Sequence, residues 1–107
     1  MNPIECTDAN FEAEAVRSER LVLVDFFAAW CGPCTAMGPV VDALADELGG
    51  RVKVVKVDVA EAPRTAARYG VTSIPSFVVL DGGRPQARLA GMQSKQMLLD
   101  VIKPHLN

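Results

Sequence analysis

Apolar and polar positions change rhythm several times along the chain, and each change marks an element. Leu21 to Ala28 (LVLVDFFA) is almost unbroken apolar, as in a strand buried on both faces, and Val52 to Val59 (VKVVKVDV) is a second β-branched run. Between them, Pro33 to Leu48 places Met37, Val40, Val41, Leu44, Ala45 and Leu48 at helical spacing and stops at Gly49-Gly50. The pattern predicts a βαβ unit of two central parallel strands joined by a right-handed crossover. Pro39 inside that helix removes a hydrogen bond and is expected to kink it. Upstream, Thr7 or Asp8 is placed to cap a short helix holding Phe11, Ala15 and Val16, with Pro3 to Cys6 as an edge strand before it. Downstream, Glu61-Ala62-Pro63 opens a helix to Tyr69, with proline in the first turn where its missing N–H costs nothing, and Gly70 closes it. Ser76 to Leu80, Asp81-Gly82-Gly83 and Pro85 to Ala90 read as an antiparallel hairpin. Ser94 to Ile102 reads as a last helix with Met97, Leu98, Val101 and Ile102 inward, ended with the help of Pro104.

Composition narrows the class. The 107 residues, 50% hydrophobic and 22% charged, match one domain with a sizeable core over residues 1–107, and exclude a disordered or collagen-like chain. Lysine and arginine number 11 against 13 acids, a net charge of −2, and the cations stand singly from Arg17 to Lys103. That leaves no electrostatic footprint for nucleic acid or anionic lipid. Leu21 to Val24 and Phe26 to Cys31 are separated by Asp25, and neither approaches the roughly 18 residues of a membrane span. Met1 to Glu5 has neither the basic start nor the apolar run of a secretory signal, so the expectation is a soluble, cytoplasmic protein without membrane contact.

Three cysteines have the wrong parity for a stapled scaffold, but the spacing of Cys31 and Cys34 points to redox chemistry or a metal. Cys31 falls where a strand ends and a helix begins. Unpaired backbone N–H groups there favour the thiolate, lowering its pKa below the roughly 8.5 of a free cysteine and making Cys31 the nucleophile. Cys34, one turn inside the helix and more shielded, is placed to attack a mixed disulfide at Cys31. Asp25 shares a strand face with Leu21, Leu23 and Phe27, where a carboxylate loses solvation and its pKa rises. Lys56, flanked on its own face by Val52 and Val54, is expected near it. Gly32 and Pro33 add no charge that would overstabilise the thiolate, which favours reduction over oxidation of substrates.

Trp30-Cys31-Gly32-Pro33-Cys34 directly after Val24-Asp25-Phe26-Phe27 and its strand, with Ile74-Pro75-Ser76 ahead of a hairpin, resembles the thioredoxin family over essentially the whole chain. The resemblance implies an α/β thioredoxin fold, a central mixed sheet of about five strands flanked by about four helices. It implies a protein-disulfide reductase: Cys31 attacks a substrate disulfide, Cys34 resolves the mixed disulfide, and Asp25 exchanges a proton with Cys34 through water; Lys56 reads as a charge that tunes Asp25, the alternative for the two being a structural buried ion pair. Pro75 is implied to be cis and to face the cysteines, and the backbone near Ile74 to pair with an extended substrate segment. Trp30, Ile74, Pro75, Gly91 and Met92 are then a largely uncharged, permissive docking surface. No bound cofactor is implied. The implied partners are disulfide-containing proteins and a flavin-dependent, NADPH-using thioredoxin reductase, with ferredoxin-linked reduction as the alternative, and the chain is expected to be a monomer.

Two positions depart from the family pattern. Phe27 stands where many members carry tryptophan, and Thr35 where a lysine or arginine is common; neither touches the core chemistry, and the missing cation after Cys34 slightly weakens thiolate stabilisation and the docking of acidic partners. Two other classes compete. A metal module would use Cys31, Cys34, Cys6 and His105, although Cys6 and His105 are not a closely spaced pair. A binding subunit would use the fold as a scaffold with incidental thiols. Cys6 reads otherwise as a small buried hydrophobe or a dimerising thiol, and His105 as a solvated helix-end residue.

Overall fold

The computed structural model describes residues 2–106. Its strands are β1 (Ile4–Cys6), β2 (Leu21–Phe27), β3 (Val52–Asp58), β4 (Ser76–Asp81) and β5 (Arg84–Ala90). Its α-helices are α1 (Gly32–Leu48), α2 (Pro63–Arg68) and α3 (Lys95–Ile102), joined by a π-helical segment at Glu12–Val16 and a closing 3-10 turn at Lys103–His105. One mixed sheet runs in the order β1-β3-β2-β4-β5. β2 and β3 are parallel from Leu21↔Val52 to Phe27↔Asp58, whereas β4 runs antiparallel to both β2 and β5. The ends of β2, β3 and β5 and the start of β4 therefore share one edge of the sheet.

Strand alternation splits the core into two layers. Leu21, Leu23, Val52, Val54, Phe77 and Val79 face Met37, Val41 and Leu44 of α1 and Leu98 and Ile102 of α3. Val22, Val24, Phe26, Val55, Val57, Val78 and Leu80 face Phe11, Ala15 and Tyr69 on the other side. β2 is covered on both faces, which is why its apolar run is unbroken except at Asp25. α1 continues through Pro39, and Gly49 beyond its end has a positive φ. Gly82 and Gly83 both have positive φ, the requirement of a two-residue type I′ hairpin turn. Tyr69 donates its hydroxyl to the carbonyl of Gly83 at 2.9 Å, tying that turn to the end of α2.

Two expectations need correction. Phe11 precedes the Glu12–Val16 segment without a side-chain cap. Thr7 closes a local turn with Asn10 instead, its N–H donating to Asn10 Oδ1 at 2.6 Å. Asp8 caps a different helix, accepting from the N–H groups of Arg64 (3.2 Å) and Thr65 (2.9 Å) and from the Thr65 hydroxyl (2.8 Å) at the start of α2. The residue preceding α2, Ala62, has no side chain able to cap, so a distant carboxylate fills the role. Met97 is exposed, because Leu98 and Ile102, one turn apart, take the face of α3 that meets α1.

Candidate functional site

Cys31 is the N-cap of α1, held in an extended conformation (φ −90°, ψ 110°), with Gly32 and Pro33 as the first helical residues. Pro33 suits that turn because its absent N–H is one that no helix carbonyl would have accepted. The Cys34 N–H donates to Cys31 Sγ at 3.2 Å, and the Cys31 N–H to the Ala28 carbonyl at 3.1 Å. The two cysteines are joined as a disulfide, with Cα atoms 5.3 Å apart, and both are buried. With Ala28 they form a small cluster against which Phe27, Val59 and Ile74 pack.

The opposing loop comes from the start of β4. The Ile74–Pro75 peptide is cis, as the resemblance implies. The carbonyl of Pro75 accepts from the Gly91 N–H at 2.8 Å, fastening the loop to the end of β5. Gly91 has φ +83°, a conformation other residues adopt only with strain, and nothing lies within 4 Å of where its Cβ would be. Trp30 beside Cys31 is 76% exposed, and Met92 after Gly91 is exposed too.

Asp25 lies beneath this edge in β2, 2% exposed, and among the described residues its Oδ1 has no hydrogen-bond partner. Burial raises its pKa from 3.8 to about 6, against a smaller downward pull from Lys56. Lys56 is the β3 residue in register with Asp25. Its ammonium stands 4.9 Å from the centroid of the Phe27 ring, a cation–π contact that holds the charge beside the site.

Trp30, Cys31, Gly32, Pro33, Cys34, Ile74, Pro75, Gly91 and Met92 therefore fall at one edge of the sheet, with Asp25 and Lys56 just beneath it. Phe27 was legible only as a departure from tryptophan; its part as a platform for Lys56 depends on the β2–β3 register. Thr35 is exposed, and its hydroxyl donates to the Cys31 carbonyl at 3.2 Å, reinforcing the first turn of α1. The other cysteine and the histidine do not converge on the pair: Cys6 packs in the layer with Phe11 and Tyr69, and His105 lies beside Glu19 and Leu21, at the opposite end of β2. Among the described residues no group of three or more metal-ligating side chains is placed to hold an ion. Nor is any helix long and apolar enough to cross a membrane.

The family model described as Thioredoxin matches residues 2–104. The chain belongs to the thioredoxin family. It is 41% identical over 102 residues to Thioredoxin 2 of Chlorobaculum tepidum, covering 95% of this chain and 94% of that protein. Identity to the thioredoxin of Bacillus subtilis is 43% over 103 residues, covering 96% and 97% of the two chains. A thioredoxin of Alicyclobacillus acidocaldarius is 46% identical over 92 residues, 86% and 87% of the respective chains. Like other thioredoxins, the chain is a protein-disulfide oxidoreductase whose redox-active centre is its own cysteine pair, Cys31 and Cys34, used in dithiol–disulfide exchange without a cofactor. Disulfide-bearing proteins and a reductase are its general partners.

Proposed function

We propose that this thioredoxin works as a reductase of protein disulfides, with Cys31 as nucleophile and Cys34 as resolving thiol. The observation that carries the assignment is the position of Cys31 at the start of a 17-residue helix, its sulfur accepting the Cys34 N–H. The same N–H and the helix terminus stabilise negative charge on Cys31 once the pair is reduced. Cys31 thiolate attacks one sulfur of the substrate disulfide, forming a mixed disulfide and releasing the other substrate sulfur as a thiolate. Cys34 then gives its proton, through water, to the Asp25 carboxylate and attacks Cys31 Sγ. The second substrate thiolate departs, the substrate has gained two electrons, and Cys31 and Cys34 end as a disulfide.

Asp25 suits proton exchange because burial brings its pKa to about 6, close to neutrality. Lys56 limits that rise, and Gly32 and Pro33 keep the reduced form from being overstabilised. Trp30, Ile74, Pro75, Gly91 and Met92 receive the substrate, the Ile74 backbone pairing with an extended segment. A flavin-dependent, NADPH-using reductase restores the dithiol. We assign the protein to the cytoplasm as a single-domain monomer, its exposed Trp30 and Met92 serving substrates and not a second copy.

The test is trapping. Reduced Cys34→Ser protein, given a disulfide-bridged peptide, should accumulate a mixed disulfide at Cys31, and Cys31→Ser should accumulate none. The wild-type couple should equilibrate in thiol buffers at about −270 mV, the general value for thioredoxins. A potential nearer roughly −120 to −180 mV would reverse the assigned direction.

A further inference from the structure

The edge of the sheet that carries the cysteines has two flanks of opposite character. On the β1–β3 side, a cleft of about 230 Å³ is lined by Glu5, Asp58 and Glu61 against one cation, Lys56. On the β4–β5 side, a groove of about 250 Å³ is lined by Gly70, Thr72, Ser73, Ser76, Val78 and Arg88. It holds a cation and no carboxylate.

Arg88 faces the same side of the sheet as its β4 partner Val78, and it is exposed. Its guanidinium reaches across to the turn that ends α2: a Cβ placed on Gly70 would lie 4.0 Å from Nη1. Among the described residues the guanidinium has no hydrogen-bond or ion-pair partner, whereas Lys53, Arg68 and Lys95 are each paired with a glutamate. The Ser76 hydroxyl is engaged, donating to the Ser73 carbonyl at 2.6 Å. Thr72 and Ser73 are exposed and line the same groove. A planar fork of N–H donors in a groove that also carries two hydroxyl residues fits a carboxylate.

The groove is continuous with the cis-proline loop. Thr72 and Ser73 directly precede Ile74, and Arg88 is two residues along β5 from Ala90, the partner of Ser76. At roughly 3.4 Å per residue, Arg88 is about 7 Å along the strand from that point.

We propose that Arg88, with Thr72 and Ser73, forms a specificity subsite for an aspartate or glutamate of the substrate protein, a few residues from the cysteine that Cys31 attacks. The inference rests on the disulfide-exchange reading and adds to it a direction: the acidic side of the substrate lies over β5, away from Asp58 and Glu61.

The test is the kcat/KM for reduction of short disulfide-bridged peptides. Each carries a single Glu, or Gln at the same position, at one of the first four places on either side of a cysteine. At about 0.1 M salt, where charges beyond roughly 10 Å are screened, wild-type protein should prefer Glu to Gln at one or two of these places by about three- to fivefold. Arg88→Ala should bring that ratio to about one, and Arg88→Glu should invert it. Arg88→Lys should keep part of the preference, since charge survives and the fork does not. Arg84→Glu, the same charge change at the far end of β5, should leave the ratio as in wild type. Equal rates for Glu and Gln at every place in the wild type, or an Arg84→Glu effect as large as that of Arg88→Glu, overturns the subsite. If wild-type protein reduces none of the peptides, Gln forms included, the exchange reading itself fails and the subsite with it.

Discussion

Asp25 is a carboxylate that the folded chain keeps protonated more readily than water does. Its pKa is 3.8 in the unfolded chain and about 6 in the fold, raised by burial against the pull of Lys56. The native state therefore binds more protons than the unfolded state between those values, so its contribution to stability is full below pH 3.8 and is lost as pH rises through about 6. The difference corresponds to roughly 3 kcal/mol. In the oxidised protein, Asp25→Asn should raise the urea midpoint at pH 7.5 and flatten stability between pH 4 and 8. The same variant should slow resolution of the mixed disulfide and abolish the inflection near pH 6, read by stopped-flow with a fluorescent peptide. Lys56→Met removes the opposing charge, so the Asp25 titration followed by carbon NMR should move upward. The unusual carboxylate was legible in the sequence, since an acid alternating with leucines on an apolar strand has no other place to go. Phe27 was not, because its contact with the Lys56 ammonium is set by strand pairing.

The elements carry their own consequences. The Ser94 hydroxyl accepts the Met97 N–H at 3.1 Å at the start of α3, a local cap readable from the chain. Ser94→Ala should cost about 1 kcal/mol in urea unfolding. Asp8 supplies the corresponding cap to α2 from 56 and 57 positions away in sequence. Burial opposes its ionisation, but hydrogen bonds from Thr65 and Arg64 more than offset this and hold its pKa below 3.8. Its support for the fold is thus present above that value and lost as pH falls through the lower folded one. At Gly83, positive φ is needed by the turn, and an added Cβ would lie 2.7 Å from Val16 Cγ1. Gly83→Ala should therefore destabilise by about 1 to 3 kcal/mol, and pairing it with Val16→Ala should recover only the steric part. The hairpin was evident from Asp81-Gly82-Gly83. That its second glycine also abuts Val16 depends on how the Glu12–Val16 segment packs beside it.

At the scale of the whole molecule, burial decides which thiols react. Cys6 is a free thiol buried beside β3, and burial, with Glu14 adding to it against Lys53, pushes its pKa up to about 11. In the reduced native protein, iodoacetamide at pH 8 should label Cys31, and Cys6 should be labelled only after denaturant is added, as peptide mass mapping would show. Phe26, fully buried and in tilted contact with Tyr69, spans the second core layer, and Phe26→Ala should cost about 3 to 5 kcal/mol. The order of apolar runs, glycine stops and the Trp30 to Cys34 motif determined the strands, the long helix, the hairpin and the reacting pair, because each rests on backbone preferences and periodicities spanning only a few neighbouring residues. Tertiary structure alone decided the rest: the cap that Asp8 lends to α2, the outward turn of Met97, the seat of Lys56 on Phe27 and the groove where Arg88 meets Gly70. These depend on which distant backbones pack side by side, and no local pattern in the chain encodes that distance.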